Sequence, residues 1–141
     1  MNYVVDSNVV AKFLVAEAQS DKAEAFLGRW TQALLDVLAP EILPAEVASM
    51  LWKRVRRGWI PADKATSLYE KFARLRIPLV PIEDLAEPAL RLALRYGHSV
   101  YHGLYVALAE KSGWTLITAD EKLRNVLVPK FSQVRLLAEW V

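Results

Sequence analysis

The chain has 141 residues, of which 54% are hydrophobic and 24% charged, and this balance predicts one folded domain with a proper core rather than a disordered protein. Its formal net charge of +2 and its pI near 8.9 permit nucleic-acid binding but do not require it. Because there is no cysteine, disulfides, thiolate zinc sites and cysteine nucleophiles are excluded.

The N-terminal sequence MNYVVDSN has no basic leader, and Asp6 stands where a signal peptide would be apolar. No uncharged apolar run approaches the roughly 18 residues of a membrane span. We therefore expect a soluble, cytoplasmic protein that forms one domain over residues 1–141. The apolar surplus also predicts a homodimer, since a second copy would cover part of the apolar surface.

Apolar periodicity and turn residues predict the following elements in chain order: a strand at residues 3–5, helices at 8–17 and 20–30, a strand at 34–38, helices at 44–57 and from 61 onward, a strand at 78–82, helices at 83–96 and 99–111, a strand at 115–117, a short helix after 120 and a strand at 134–137. Short apolar strands that alternate with amphipathic helices indicate a parallel sheet covered on both faces. The predicted fold is an α/β three-layer sandwich, α/β/α, with a central parallel sheet of about five strands.

Several residues mark the predicted boundaries. Ser20, Ser99 and Asp120 are predicted N-caps, and Gly58 is predicted to end the helix at 44–57. Pro40 is predicted to close the second strand, because it cannot donate to a ladder.

Two further predictions concern the later helices. Pro88 is expected to bend the helix at 83–96. The helix at 99–111 is expected to bury one stripe, formed by Tyr101, Leu104, Tyr105 and Leu108.

Two carboxylates follow predicted strands directly. Asp6 comes directly after the first strand, and two residues separate Asp120 from the strand at 115–117. Sites in parallel sheets form beyond the carboxyl ends of the strands, so both side chains are expected at one edge. Either aspartate alone could simply cap a helix, which is worth about 1 kcal/mol. Together they repel unless a cation lies between them.

Glu46 and a cluster of cations share the helix at 44–57. Glu46 lies in its first turn, where it could serve only to complement the helix dipole. Lys53, Arg54 and Arg57, with Arg56, Trp52 and Trp59 beside them, could contact phosphates and stack bases. A solvated, basic helix end is the other interpretation of that cluster.

His98 and His102 have the spacing of a metal-binding pair. The helix is predicted to begin after His98, however, so we do not expect the two rings to share a face. His102 would occupy the third helical position as a neutral imidazole, which can bind a metal. A hydrogen-bonded, partly buried histidine without a ligand remains the alternative.

Four segments occur in order along the chain: VVDSNVVAKFL, PAEVASMLWKRVRRG, SVYHGLYVALAEKSG and TLITADEKL. Together they resemble the PIN domain, and more narrowly the VapC-type toxin ribonucleases of type II toxin–antitoxin pairs. The resemblance covers the whole chain. It implies an acidic site that binds Mg²⁺ or Mn²⁺ and hydrolyses RNA, a homodimer, and inhibition by a small VapB-like antitoxin.

Motif matching assigns Asp6, Glu46 and Asp120 as catalytic residues and metal ligands, with His102 as a further candidate ligand. Around them, the residues expected to hydrogen-bond the carboxylates or to support the site are Ser7, Asn8, Thr118 and Glu121. The residues expected to bind RNA are Lys53, Arg54 and Arg57.

The third family position departs from the pattern. Family members usually read Tyr-Asp-Ala, whereas this chain reads Tyr101-His102-Gly103, and Ser49 replaces the usual asparagine. One carboxylate fewer should weaken the binding of a hard cation such as Mg²⁺. The sequence therefore predicts a metal-dependent ribonuclease, and the alternative is a weakened or inactive PIN-like module that binds RNA or an antitoxin without cutting.

Overall fold

A computed structural model describes residues 1–140 of the chain as a five-stranded parallel sheet flanked by helices. The strands are β1 (Asn2–Val5), β2 (Asp36–Pro40), β3 (Leu79–Val80), β4 (Thr115–Thr118) and β5 (Val134–Leu136). The helices are α1 (Ser7–Leu14), α2 (Ser20–Thr31), α3 (Leu43–Arg56), α4 (Ala62–Arg74), α5 (Ala86–Tyr96), α6 (Val100–Ser112) and α7 (Glu121–Leu127). The predicted domain extends one residue further, to Val141, which lies outside the described residues.

The strand order is β3-β2-β1-β4-β5, and every neighbouring pair is parallel. Tyr3 is in register with Val37 on one side and with Thr115 on the other. Strands β2 and β3 lie on one side of β1, and strands β4 and β5, which come later in the chain, lie on its other side. The carboxyl ends of β1 and β4 therefore form the topological switch point, where α/β sheets place their sites.

The core lies on both faces of this sheet. Tyr3, Val4 and Val5 are at most 2% exposed, and because successive residues of a strand point to opposite faces, both faces of β1 are covered. Helix α6 packs on β1, β2 and β4, while α1 contacts β4, α2, α3 and α4. The predicted three-layer α/β sandwich is confirmed.

Helices α5 and α6 approach each other closely at Gly103. A Cβ atom on Gly103 would lie 2.6 Å from the carbonyl oxygen of Ala89 and 3.1 Å from its Cα. Both are backbone atoms of α5, so no side-chain rotation could relieve the clash. The glycine thus allows the N-terminal half of α6 to sit deep in the protein.

The prediction for α6 needs one correction. Its residues from Gly103 to Ala109 are all buried, so the helix is buried all round rather than along one stripe. Tyr101, which we assigned to that stripe, is 58% exposed. Periodicity failed here because a central helix covered by α5 has no polar face.

Around α1 and α2, two predictions were wrong. Helix α1 ends at Leu14 rather than at residue 17, and Val15 is already extended. Ser20 is not an N-cap but the first residue of α2, preceded by the left-handed Gln19. Its hydroxyl accepts from the Glu17 N–H and donates to the Val15 carbonyl, and these bonds fix the turn that ends α1.

Pro40 lies within β2 instead of after it. The N–H groups of Ala39 and Glu41 face β3 and donate to the Pro78 and Val80 carbonyls. Pro40 points its nitrogen to the other side, where pairing with β1 has ended at Leu38, so no ladder bond is lost.

The region after β2 is more irregular than predicted. Strand β3 has only two residues, and a 3₁₀ turn at Ile82–Asp84 follows it. Helix α5 starts at Ala86, so Pro88 lies in its first turn, where a missing N–H costs nothing and no bend results.

Other boundary predictions are confirmed. Ser99 accepts from the His102 N–H and Asp120 accepts from the Leu123 N–H, as N-caps do. Gly58 ends α3 with a φ of 72°. Within residues 1–140, none of the helices is both long enough and apolar enough to cross a membrane.

The close approach of α5 and α6 predicts that Gly103→Ala lowers the free energy of unfolding by about 1–3 kcal/mol, because the added methyl overpacks against backbone. The matched control is Gly28→Ala in α2, where a Cβ would have nothing within 4 Å. It should stabilise by up to about 1 kcal/mol, since alanine is the better helix former. Urea denaturation measures both, and equal stabilities of the two variants would contradict the proposed contact.

Candidate active site at the edge of the sheet

Asp6 is the centre of the candidate site. It follows β1 directly, its N–H donates to the Ile117 carbonyl of β4 at 3.0 Å, and it is only 1% exposed. Its Oδ1 accepts from the Ser7 N–H at 2.8 Å, which caps α1, and its Oδ2 accepts from the Thr118 hydroxyl at 2.9 Å. These contacts fix the carboxylate in one orientation.

Thr118 connects the two aspartates. Its hydroxyl donates to Asp6 and accepts from the Asp120 N–H at 3.0 Å and from the Asn8 amide at 3.1 Å. One donor and two acceptor positions use the full capacity of a hydroxyl. Asn8 also donates to Asp6 at 3.3 Å and accepts from the Ala119 N–H at 2.9 Å. This network links β1, α1, β4 and the loop before α7.

Asp120 and His102 face each other across the sheet edge. The distance from His102 Nε2 to Asp120 Oδ2 is 3.9 Å, and both side chains are about one third exposed. Ser99 caps α6 and places His102 at its third position, as predicted. The histidine therefore lies beside Asp120, where it can bind a shared ligand or pair with the carboxylate.

Glu46 reaches the same region from the first turn of α3. Its Oε1 accepts a 2.6 Å hydrogen bond from the hydroxyl of Tyr105, which lies one turn after His102 on α6. Burial raises the pKa of Glu46, and the nearby Asp6 raises it further, whereas the bond from Tyr105 lowers it. The pKa of Tyr105 is strongly raised by burial and by both carboxylates, so this phenol stays protonated and donates.

The acidic groups affect one another's pKa values. Burial raises the pKa of Asp6 above its ordinary value and Asp120 adds to the rise, while the hydrogen bond from Thr118 and the charge of His102 oppose it. The carboxylates thus lie close enough for mutual repulsion, in surroundings that penalise negative charge. A cation placed among them would relieve both effects.

The same residues can be tested as metal ligands. Their carboxylate oxygens fit a hard divalent cation, and an imidazole suits Mn²⁺ better than Mg²⁺. Within residues 1–140, no three His, Asp or Glu side chains are already arranged to hold a metal ion. The side chains are thus of a chemical type that fits a cation, but they are not arranged around one point. Asp6 accepts a hydrogen bond from Thr118, and Glu46 accepts one from Tyr105.

The two histidine rings lie near each other, and His98 precedes α6 as predicted. Their centroids are 6.4 Å apart, although α6 begins after His98. The ring of His98 stacks on Tyr96, and its Nδ1 lies 2.9 Å from the Ser99 carbonyl oxygen. Because the acceptor is a carbonyl oxygen, Nδ1 is the donor. His98 lies before α6, directly after the left-handed turn at Gly97, so helical periodicity does not set the distance between the two rings.

A cavity of about 550 Å³ opens next to Glu46 and Ser7. We call it the first cavity. One wall carries the three predicted RNA-binding residues, Lys53, Arg54 and Arg57, and its mouth carries the exposed aromatic residues Trp59 and Tyr101. Glu46 is the acidic side chain on this lining, and the three basic side chains beside it suit the phosphates of a phosphodiester chain.

The three cations differ in their pairing. Arg54 forms a 3.0 Å ion pair with Glu17, and its guanidinium lies 5.5 Å from the centre of the Trp59 ring. Arg57 lies 5.0 Å from the same ring. In the described part of the chain, Lys53 and Arg57 have no acidic partner within 4.0 Å, so their charges are available to a ligand.

Most of the predicted site residues therefore meet at one edge: Asp6, Glu46, Asp120, His102, Ser7, Asn8 and Thr118. Glu121 is exposed at the first position of α7, and its role stays a prediction. Sequence reasoning missed Tyr105, which we had assigned to the apolar stripe. Its position one turn after His102 places it on the helix of a site residue but does not indicate which group its hydroxyl contacts.

Comparisons with known proteins agree with this arrangement. The family described as "PIN domain" matches residues 3–127. Ribonuclease VapC3 of Pyrobaculum aerophilum is 35% identical over 127 residues, which are 87% of this chain and 92% of that protein.

Two solved structures share the fold. PAE2754 of Pyrobaculum aerophilum superposes with a TM-score of 0.68 at 22% identity, over 98% of this chain and 85% of that one. VapBC2 of Rickettsia felis, bound to a DNA fragment from its promoter, gives a TM-score of 0.68 at 14% identity, over 96% and 98%. The resemblance found in the sequence is confirmed, and the chain belongs to the PIN-domain family.

Proposed function

We propose that this protein is a metal-dependent endoribonuclease of the VapC type, which hydrolyses RNA phosphodiester bonds. One observation carries the proposal: the buried Asp6 carboxylate is linked to Asp120 through Thr118, beside a cavity with basic walls. The 35% identity to a protein named as a ribonuclease supports it.

The expected cofactor is Mg²⁺ or Mn²⁺, held by Asp6, Glu46 and Asp120 with His102 as a further ligand. When bound, such an ion polarises the phosphoryl oxygen and makes water a better nucleophile. We expect Thr118, Asn8 and Ser7 to keep the Asp6 carboxylate oriented.

The remaining site residues bind and position the substrate. Lys53 and Arg57 are free to neutralise phosphates along the first cavity, while Arg54 holds the Trp59 ring. Tyr105 orients Glu46 towards the same cavity. Glu121 is proposed to compensate in part for the carboxylate that His102 replaces.

The alternative, a PIN-like module that does not cut RNA, rests on His102. An imidazole 3.9 Å from Asp120 can form an ion pair with it and occupy that carboxylate, so that the protein binds RNA or an antitoxin without cutting. We favour the nuclease because the other three acidic positions of the family pattern are present.

The proposed setting is a cytoplasmic toxin–antitoxin pair. A small VapB-like antitoxin is the expected protein partner, and the likeness to a structure titled VapBC2 supports this choice. A gene for a small antitoxin beside the gene for this chain would agree with it.

A first prediction concerns cleavage. The purified chain should cut single-stranded RNA with Mn²⁺ or Mg²⁺ and should stop in EDTA, because the carboxylates cannot activate water alone. Asp6→Asn should lower the rate at least about 100-fold. The control is Asp36→Asn, the same change at the exposed opposite end of the sheet, which should leave the rate unchanged. Gel analysis of labelled RNA measures all of these rates.

A second prediction separates the nuclease from the alternative. His102→Asp restores the carboxylate of the family's third position and should shift the metal preference towards Mg²⁺, since it adds a hard oxygen ligand. Rates measured against each metal concentration would show the shift. If the native chain were inert with both ions and His102→Asp gained activity, the non-cutting alternative would replace the nuclease.

A third prediction concerns a proposed homodimer. Leu90 and Leu94 are 49% and 78% exposed on one side of α5, and Val100 is 40% exposed at the start of α6. We expect a second copy to cover this patch, so light scattering should give about twice the 15.9 kDa chain mass. Leu94→Glu should yield the monomer. The control is Leu34→Glu, which changes a leucine that is 58% exposed outside this patch, and this variant should remain dimeric. If the native chain were a monomer in solution, the proposed dimer would be wrong.

A further inference from the structure

A second cavity adjoins the first on the far side of Trp59. It measures about 630 Å³ and lies between the end of α1, the start of α2 and helix α4. Arg54 and Trp59 line both cavities. A ligand that leaves the first cavity across the Trp59 ring therefore enters the second.

Basic residues continue along this route. Lys64 and Lys71 line the second cavity from α4, and both are exposed. Neither has an acidic side chain within 4.0 Å among residues 1–140. Glu24 on the lining offsets one charge, and Glu17 is already matched by Arg54. The second cavity thus keeps a positive excess.

Trp59 provides an aromatic surface where the cavities meet. Its side chain is 60% exposed although two guanidinium groups lie within about 5.5 Å of the ring centre. Gly58, with a φ of 72°, turns the chain after α3 and presents the ring there. An exposed indole flanked by cations stacks unpaired bases irrespective of their identity.

We propose that the two cavities form one path for an unpaired RNA strand, with the scissile phosphate at the acidic end, a base stacked on Trp59, and phosphates beyond it bound by Lys64 and Lys71. This rests on the proposed ribonuclease function and adds the route that the unpaired strand takes beyond the cleavage site, past Trp59 to Lys64 and Lys71. A duplex does not fit this role, because its bases are stacked on one another and cannot reach the indole.

The test measures binding and cleavage separately. Fluorescence anisotropy in EDTA gives the affinity for mixed-sequence RNA of 4 and 12 nucleotides and for a 12-base-pair RNA duplex. The native chain should bind the 12-mer about tenfold or more tightly than the 4-mer, and the duplex more weakly than the single-stranded 12-mer. Cleavage with Mn²⁺ is measured on the same single strands.

Three variants examine the residues on the path. Lys64→Ala with Lys71→Ala should weaken 12-mer binding severalfold, leave 4-mer binding unchanged, and reduce the salt dependence by a slope of about 1.4, as for two lost phosphate contacts on a single strand. Trp59→Ala should weaken 12-mer binding about tenfold, and Trp59→Phe should restore part of it. In cleavage, the lysine double variant should raise KM and leave kcat within about twofold.

The matched control is Lys111→Ala with Lys130→Ala, which removes two exposed cations that line neither cavity. If the control and the Lys64–Lys71 variant lost the same affinity, or if the 4-mer bound as tightly as the 12-mer, the path would be wrong. An oligoglutamate peptide that displaced the 12-mer at equal concentration would instead assign the second cavity to an acidic protein segment. Binding that depends on RNA length, without any cleavage, would contradict the proposed ribonuclease function but agree with the path. Cleavage without such length dependence would contradict the path but agree with the ribonuclease function.

Discussion

The buried Asp6 carboxylate is the constraint on which the rest of this site depends. A charged group that is 1% exposed is tolerated only when hydrogen bonds replace the water it has lost. Here the donors come from the start of α1 and from Thr118 on β4, so the bonds that solvate Asp6 also hold β1 and β4 in their relative positions. Stability and site geometry are therefore maintained by the same contacts. The raised pKa of Asp6 shows that these bonds do not offset the full cost of burial.

That incomplete compensation explains why the edge of the sheet suits a cation. Glu46 and Asp120 approach from α3 and from the loop after β4. The charge of Asp120 raises the pKa of Asp6, and the charge of Asp6 raises the pKa of Glu46. His102 replaces what is usually a further acid and reduces the negative charge of the set. Its imidazole lies within ion-pair range of Asp120, so it can substitute for part of a cation's effect when protonated. The identity of residue 102 thus changes the charge of the candidate site.

The sequence predicted the fold and the position of the site because both depend on strand order and strand ends. Asp6 and Asp120 each follow an apolar strand, and a parallel sheet brings such ends to one edge whatever the loops do. The bond from Tyr105 to Glu46 could not be predicted, because periodicity assigns a tyrosine to a buried face without saying what its hydroxyl will meet. The sequence suggested that Trp59 could stack bases, but not where its ring lies, since the turn at Gly58 sets its direction.

The proposed cleavage of RNA requires that the carboxylates at the ends of β1 and β4 share one cation. The most direct measurement is a crystal structure of the chain soaked in Mn²⁺, with the ion located by its anomalous scattering. We expect a manganese peak contacted by Asp6 and Asp120, with Glu46 rotated towards it. Saturating Mn²⁺ that left these carboxylates without an ion, or that bound only elsewhere on the protein, would contradict the proposed site.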